Sequence, residues 1–201
     1  MKSELVIRFW LFCTQDRIET TDIWYYDFVT NKENEHQQAK AALSFIVPIL
    51  EKYKFRWVIT GGFACYVYGV DRMLTDIDID IDTSKDSANF RVFLEEVQPH
   101  ISQPLVNFVD SNYNNFNFEL TIENQIIDIC PMNELLIFNK NEGAYVNFYH
   151  HAFPTIDMVR FEGFELPLLT KQAIIDNKEM LATKDEWQQR DIDSLRKLLK
   201  K

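Results

Sequence analysis

The sequence predicts an α/β (α+β) fold: a mixed β-sheet flanked by helices, with a helical C-terminal part. Three observations predict it. Residues 34–54 and 86–98 space their apolar side chains as helices do. Segments 55–60, 74–82, 116–122 and 125–130 run apolar or alternate as strands do. Residues 169–200 hold two helical patterns, the first opening at a Thr cap.

Taken in order, residues 1–32 are aromatic-rich and form an N-terminal segment with no periodicity that types it, and residues 33–201 form the domain proper. In 34–54, Ala42, Phe45, Ile46, Ile49 and Leu50 share one helix face, and Pro48 kinks or shortens that helix. FRWVIT (55–60) is a short buried strand that stops at Gly61-Gly62, and a two-turn helix follows and ends at Gly69. LTDIDIDID (74–82) alternates with period two. Ser84 or Asp86 caps the next helix, and residues 104–115, rich in Asn, are expected as loop. FNFELTI and QIIDIC make a hairpin across Glu123-Asn124, and further strands are expected in 145–153 and 158–167.

At 201 residues the chain can bury a sizeable core, and a hydrophobic content of 46% with 16 Phe excludes a disordered class. The net charge of −10 disfavours a general nucleic-acid binder, which needs a basic patch. Cys13, Cys65 and Cys130 lie far apart without a CxxC pair, so neither a disulfide framework nor a zinc site is indicated, and a reducing, cytoplasmic compartment is expected. No apolar run is long enough to span a membrane. Glu4 and Arg8 interrupt the apolar patch in the first residues and no small-residue cleavage site follows, so that patch is expected to belong to the fold.

The stretch Gly61 to Asp82 carries the chemistry. Asp76, Asp78 and Asp80 would share one strand face while Ile77, Ile79 and Ile81 enter the core. Neighbouring carboxylates repel, and a hard divalent cation such as Mg²⁺ relieves that repulsion through oxygen ligands. Three plainer readings compete. A solvated strand face leaves Gly61-Gly62 without a reason. A calcium loop counted from Asp76 needs Gly and Glu where Ile81 and Ser87 stand. Protection of an edge strand covers Asp80 and Asp82 but not the whole arrangement. A strand running into Gly-Gly and a helix offers backbone N–H groups to a phosphate. Asp128, between Ile127 and Ile129, is costly in an apolar strand unless paired or metal-bound. His150-His151 read as surface or packing residues and Cys65 as a core residue.

Ile59-Thr60-Gly61-Gly62, then Asp76-Ile77-Asp78, then a lone Asp128 resemble the signature of the DNA polymerase β-like nucleotidyltransferase superfamily. Within it the sequence is similar to small antibiotic nucleotidyltransferases of the lincosamide and aminoglycoside type. Asp128-Ile129-Cys130-Pro131, the Leu-Thr-Lys-Gln-Ala helix start and Arg190-Asp191-Ile192-Asp193 carry that likeness over residues 40–200. The resemblance implies a nucleotidyltransferase-type sheet, ATP or another NTP as donor, and two Mg²⁺ ions held by Asp76, Asp78 and Asp128. It implies Gly61 and Gly62 at the phosphates, with Arg72 and Lys178 as further phosphate-facing candidates. Arg72 has an alternative as an ion-pair partner of Asp71 or Asp76, and Asp80 as a support for the metals or a solvated or paired group. Asp128 serves as second-metal ligand or general base. The implied reaction transfers a nucleoside monophosphate, AMP from ATP, to a hydroxyl of a small molecule and releases pyrophosphate. Two alternatives stand beside it: a toxin-type enzyme acting on a protein or RNA, and a nucleotide-binding regulatory module without catalysis.

Overall fold

The structure, a computed structural model, describes residues 20–83, 87–148 and 155–200. Most of the N-terminal segment, the Ser84 and Asp86 caps, residues 149–153 of the strand expected across 145–153, and His150-His151 lie outside the described residues.

Helix α1 (Thr20–Lys52) continues through Pro48, whose ring removes one N–H but does not end it. Its face of Leu43, Ile46 and Leu50 is fully buried, and it packs on the sheet. Strand β1 (Arg56–Ile59), helix α2 (Gly61–Val67) and strand β2 (Asp76–Asp82) follow. Gly69, at φ 92°, ends the α2 turn in a conformation open to glycine. Helix α3 (Ser87–Val97) leads into β3 (Ile101–Val109), β4 (Tyr113–Ile122) and β5 (Gln125–Pro131). Short strands β6 (Leu136–Asn139) and β7 (Ala144–Asn147) precede the hairpin β8 (Ile156–Phe161) and β9 (Phe164–Leu169). Helices α4 (Lys171–Met180) and α5 (Glu186–Leu199) close the chain.

The strands form one mixed sheet in the order β7-β6-β4-β5-β2-β1-β9-β8, with β3 on the other edge of β4. Two pairings are parallel, β2 with β5 and β1 with β9, and the rest are antiparallel. Because β2 lies between β1 and β5, its aspartates do not guard an edge. Ile77, Ile79 and Ile81 are fully buried, each contributing about 1.5–3 kcal/mol of apolar burial. Phe63, Phe93 and Phe118 fill the same core.

One expectation needs correction. Within 104–115, residues 113–115 open β4, and residues 104–109 are not loop but most of β3. Its side chains are almost all exposed, so no apolar alternation marks it, and Pro104 is tolerated where only β4 pairs with it. Register shifts on either side of Gln103 absorb the irregularity. The β4–β5 hairpin turns at Glu123-Asn124 as the sequence suggested. Both residues have positive φ, 50° and 66°, the geometry of the turn that suits a twisted hairpin. Asn accepts this conformation and Glu resists it. Glu123→Asn is therefore expected to raise stability by roughly 0.5–1 kcal/mol in urea unfolding, without change in the unfolding slope.

Candidate functional site

The site is built where three elements meet: the β1–α2 turn, the first half of β2 and the middle of β5. Period-two geometry puts Asp76, Asp78 and Asp80 on one face of β2. The parallel register sets Asp78 directly opposite Asp128. Thr60, just before the glycines, donates its backbone N–H to the Asp78 carbonyl at 3.1 Å, which fixes the turn against β2.

Gly61 has φ 59°, and a Cβ built there would overlap the Asp78 carboxylate. A Cβ on Gly62 would overlap the Arg72 guanidinium. Gly62 donates its N–H to Asp78 Oδ2 at 3.3 Å. The two glycines are thus needed for space as well as for conformation.

Each carboxylate has its own protein donor. Thr75 Oγ1 donates to Asp76 Oδ1 at 2.7 Å. Asn117 Nδ2 lies 3.1 Å from both Asp128 oxygens. Among the described residues no three His, Cys, Asp or Glu side chains converge into a metal-binding cluster as they stand. Burial pushes the Asp78 carboxyl up to about 7, the charges of Asp76 and Asp128 push the same way, and Lys178 and the Gly62 N–H oppose them. Asp128 is raised to about 6, chiefly by burial, while its Asn117 hydrogen bond holds it back.

Asp80 is buried, not solvated, and burial raises it well above the usual carboxylate range while Thr60 hydrogen-bonds to it. Arg72 pairs with neither Asp71 nor Asp76. Its Nη1 donates to Asp191 Oδ2 at 2.7 Å, and Lys178 Nζ reaches the same oxygen at 3.2 Å. Lys178 also lines a cavity of about 450 Å³ with Thr60, Gly61, Asp78, Asp80 and Asp128. Phe108, Ile137 and Phe148 give that cavity an apolar wall. Cys65 is a core residue whose thiol burial pushes up to about 12, out of reach of nucleophilic use.

Comparison with solved structures decides the fold. A Thermotoga maritima protein provisionally described as a nucleotidyltransferase superposes with TM-score 0.57 at 18% identity, over 79% of this chain and 91% of that one. The chain has the nucleotidyltransferase fold. The lincosamide antibiotic adenylyltransferase LnuA, in its lincomycin-bound form, matches with TM-score 0.51 at 19% identity over 78% of this chain and 95% of that one. ANT(2″)-Ia, in complex with adenylyl-2″-tobramycin, matches with TM-score 0.51 at 15% identity over 79% and 87%. No protein-family model and no curated protein sequence matches. On this nucleotidyltransferase fold, the sequence reading missed Asn115, Asn117 and Asn177 on the cavity wall, and the burial of Asp191. The Oδ1 atoms of all three asparagines are buried without a partner among the described residues.

An acid whose pKa rises on folding binds more protons in the folded state, so its ionisation opposes folding as pH climbs from the unfolded value near 4 to about 7. Asp78→Asn removes that cost. In thermal melts with chelator present, the variant is expected to melt above the native chain at pH 8 and level with it at pH 4. A gap that does not vary with pH would mean that Asp78 carries no such penalty.

Proposed function

We propose that this chain transfers a nucleoside monophosphate, AMP from ATP, to a hydroxyl of a small-molecule acceptor and releases pyrophosphate. The observation that carries the reading is the in-register pair Asp78 and Asp128 beside a Gly61 turn that has room for nothing larger than glycine. The fold shared with LnuA and ANT(2″)-Ia supports it, and the lincomycin and adenylyl-2″-tobramycin bound to those two proteins suggest the acceptor class.

The donor set fits a hard cation. Asp76 and Asp78 share a strand face, Asp128 stands opposite Asp78, and all three offer carboxylate oxygens. These residues would hold two Mg²⁺ ions, which would supply charge neutralisation for the triphosphate and for the carboxylates themselves. Gly61 and Gly62 leave the backbone open for close approach of a phosphate. Lys178 offers positive charge from the cavity wall, and Arg72 does so from beside Gly62. The acceptor oxygen forms a bond to the α-phosphorus as the bond from that phosphorus to the bridging oxygen breaks. Pyrophosphate leaves with the electron pair of that bond. The acceptor proton passes to the Asp128 carboxylate, which Asn117 holds in place through its amide.

The test is pyrophosphate release from each of four NTPs with Mg²⁺, against lincomycin, tobramycin, RNA and protein acceptors. Release is expected to depend on one small hydroxyl-bearing acceptor and to need Asp78. Asp128→Asn is expected to lower the rate by about 10²–10⁴-fold with NTP binding kept. Release that occurs only with RNA or protein would move the acceptor to that class. NTP binding and turnover indifferent to Asp78→Asn would sink the reading altogether.

A further inference from the structure

We propose that Asp191 is a positioning residue that fixes Arg72 and Lys178 as a two-cation clamp for the triphosphate. The inference rests on the nucleotidyltransferase reading and adds a residue to it. Asp191 lies on α5 and is only 1% exposed, whereas Arg190 and Asp193 beside it face solvent. One of its oxygens accepts from both cations, which come from the α2–β2 loop and from α4.

Stability does not account for this arrangement. A buried ion set loses hydration on folding, and apolar side chains of the same size serve as well or better. Ile174, Ile175, Ile192 and Leu195 already provide the buried apolar packing of α4 and α5. What the carboxylate does is hold two long, rotamer-rich side chains at one place. That place adjoins the aspartate site on two sides. Arg72 lies so close over Gly62 that a Cβ there would overlap its guanidinium. Lys178 lines the cavity and acts on the charge of Asp78.

Two cations against one carboxylate leave a net positive charge. Beside Lys178, the carboxyl groups lining the cavity are those of Asp78, Asp80, Asp110, Glu119 and Asp128. Arg72 spends Nη1 on Asp191 and Nε on the Met73 carbonyl, and its guanidinium keeps further N–H groups for an anion. Holding the pair in advance removes the ordering that free Lys and Arg side chains would undergo on binding.

Calorimetric titrations with inorganic triphosphate in Mg²⁺, and separately with Mn²⁺ alone, test the proposal. Asp191→Asn is expected to weaken triphosphate binding by about tenfold or more while Mn²⁺ affinity stays within about twofold. General structural damage would not split the two ligands in this way. In an Arg72→Met/Lys178→Met background, Asp191→Asn is expected to cause no further loss, since it acts through those two residues. Native-like triphosphate binding by Asp191→Asn, or a full additional loss in the double background, overturns the proposal. Should Asp191→Asn not fold, Asp191→Glu keeps the charge but displaces it by one methylene. The same split supports the role, and unchanged affinity for both ligands removes it. A native chain that binds no triphosphate defeats the parent reading and this one together. Triphosphate binding that needs Asp78 but is indifferent to Asp191 defeats this one alone.

Discussion

Two carboxylates held opposite each other on adjacent strands, ~5 Å apart, repel by about 3 kcal/mol at an effective dielectric of ~20. Asp78 and Asp128 form such a pair when both are ionised, and Asp76 adds a third carboxylate on the same face. The strain is not avoidable by rotation of the chain, because Ile77, Ile79, Ile81, Ile127 and Ile129 are locked into the core on the opposite face. A one-residue slip of β2 would bury its aspartates in that core and expose its isoleucines, which is far worse than the repulsion. The core therefore enforces the cluster. The protein tempers it locally through the Gly62 N–H on Asp78, the Asn117 amide on Asp128 and the nearby charge of Lys178.

The surrounding architecture follows from giving those groups access to the cluster. Gly61 and Gly62 carry no side chain where one would strike Asp78 or Arg72. The α4–α5 pair brings Lys178 and Asp191 toward the C-terminal end of β1, where the Gly-Gly turn begins. Tyr68 Oη, donating to the Leu169 carbonyl at 3.0 Å, ties the end of α2 to the strand that leads into α4. Helices and sheet are thus connected through polar contacts next to the site as well as through the apolar core.

The parts of this arrangement that depend on short spacing were legible in the sequence. The period-two run at 76–82 names its own faces, and Gly61-Gly62 marks a turn without ambiguity. Partners set by tertiary packing were not. Arg72 and Asp191 are 119 residues apart, so nothing local links them, and Asp71 and Asp76 looked the nearer partners. Two signals were present but unused. Asn115, Asn117 and Glu119 alternate along β4, and Glu119 registers with Asp128, so that face had to meet the aspartates. Asp191 sits with Ile192 and Leu195 on the apolar stripe of α5, and a carboxylate in that place calls for a buried cation. β3 was hidden for a different reason: a strand with neither face buried leaves no apolar period to read.

The charge balance of the cavity bears on how an anionic donor could enter it. Asp78, Asp80, Asp110, Glu119 and Asp128 line the space, and Lys178 is the one cation among the described lining residues. A triphosphate approaching that wall meets carboxyl groups from β2, β4, β5 and the β3–β4 turn, in a chain already at −10. Arg72 and Lys178 offset only part of it, since Asp191 takes up one of their two charges. On the proposed reading, then, positive charge must arrive with the nucleotide. Carboxylate oxygens on one face suit a hard divalent cation carried on the phosphates better than further basic side chains, which the described lining does not supply. On that reading, the same excess of carboxylates that makes the cluster costly would make the site selective for a metal-complexed nucleotide over the free anion.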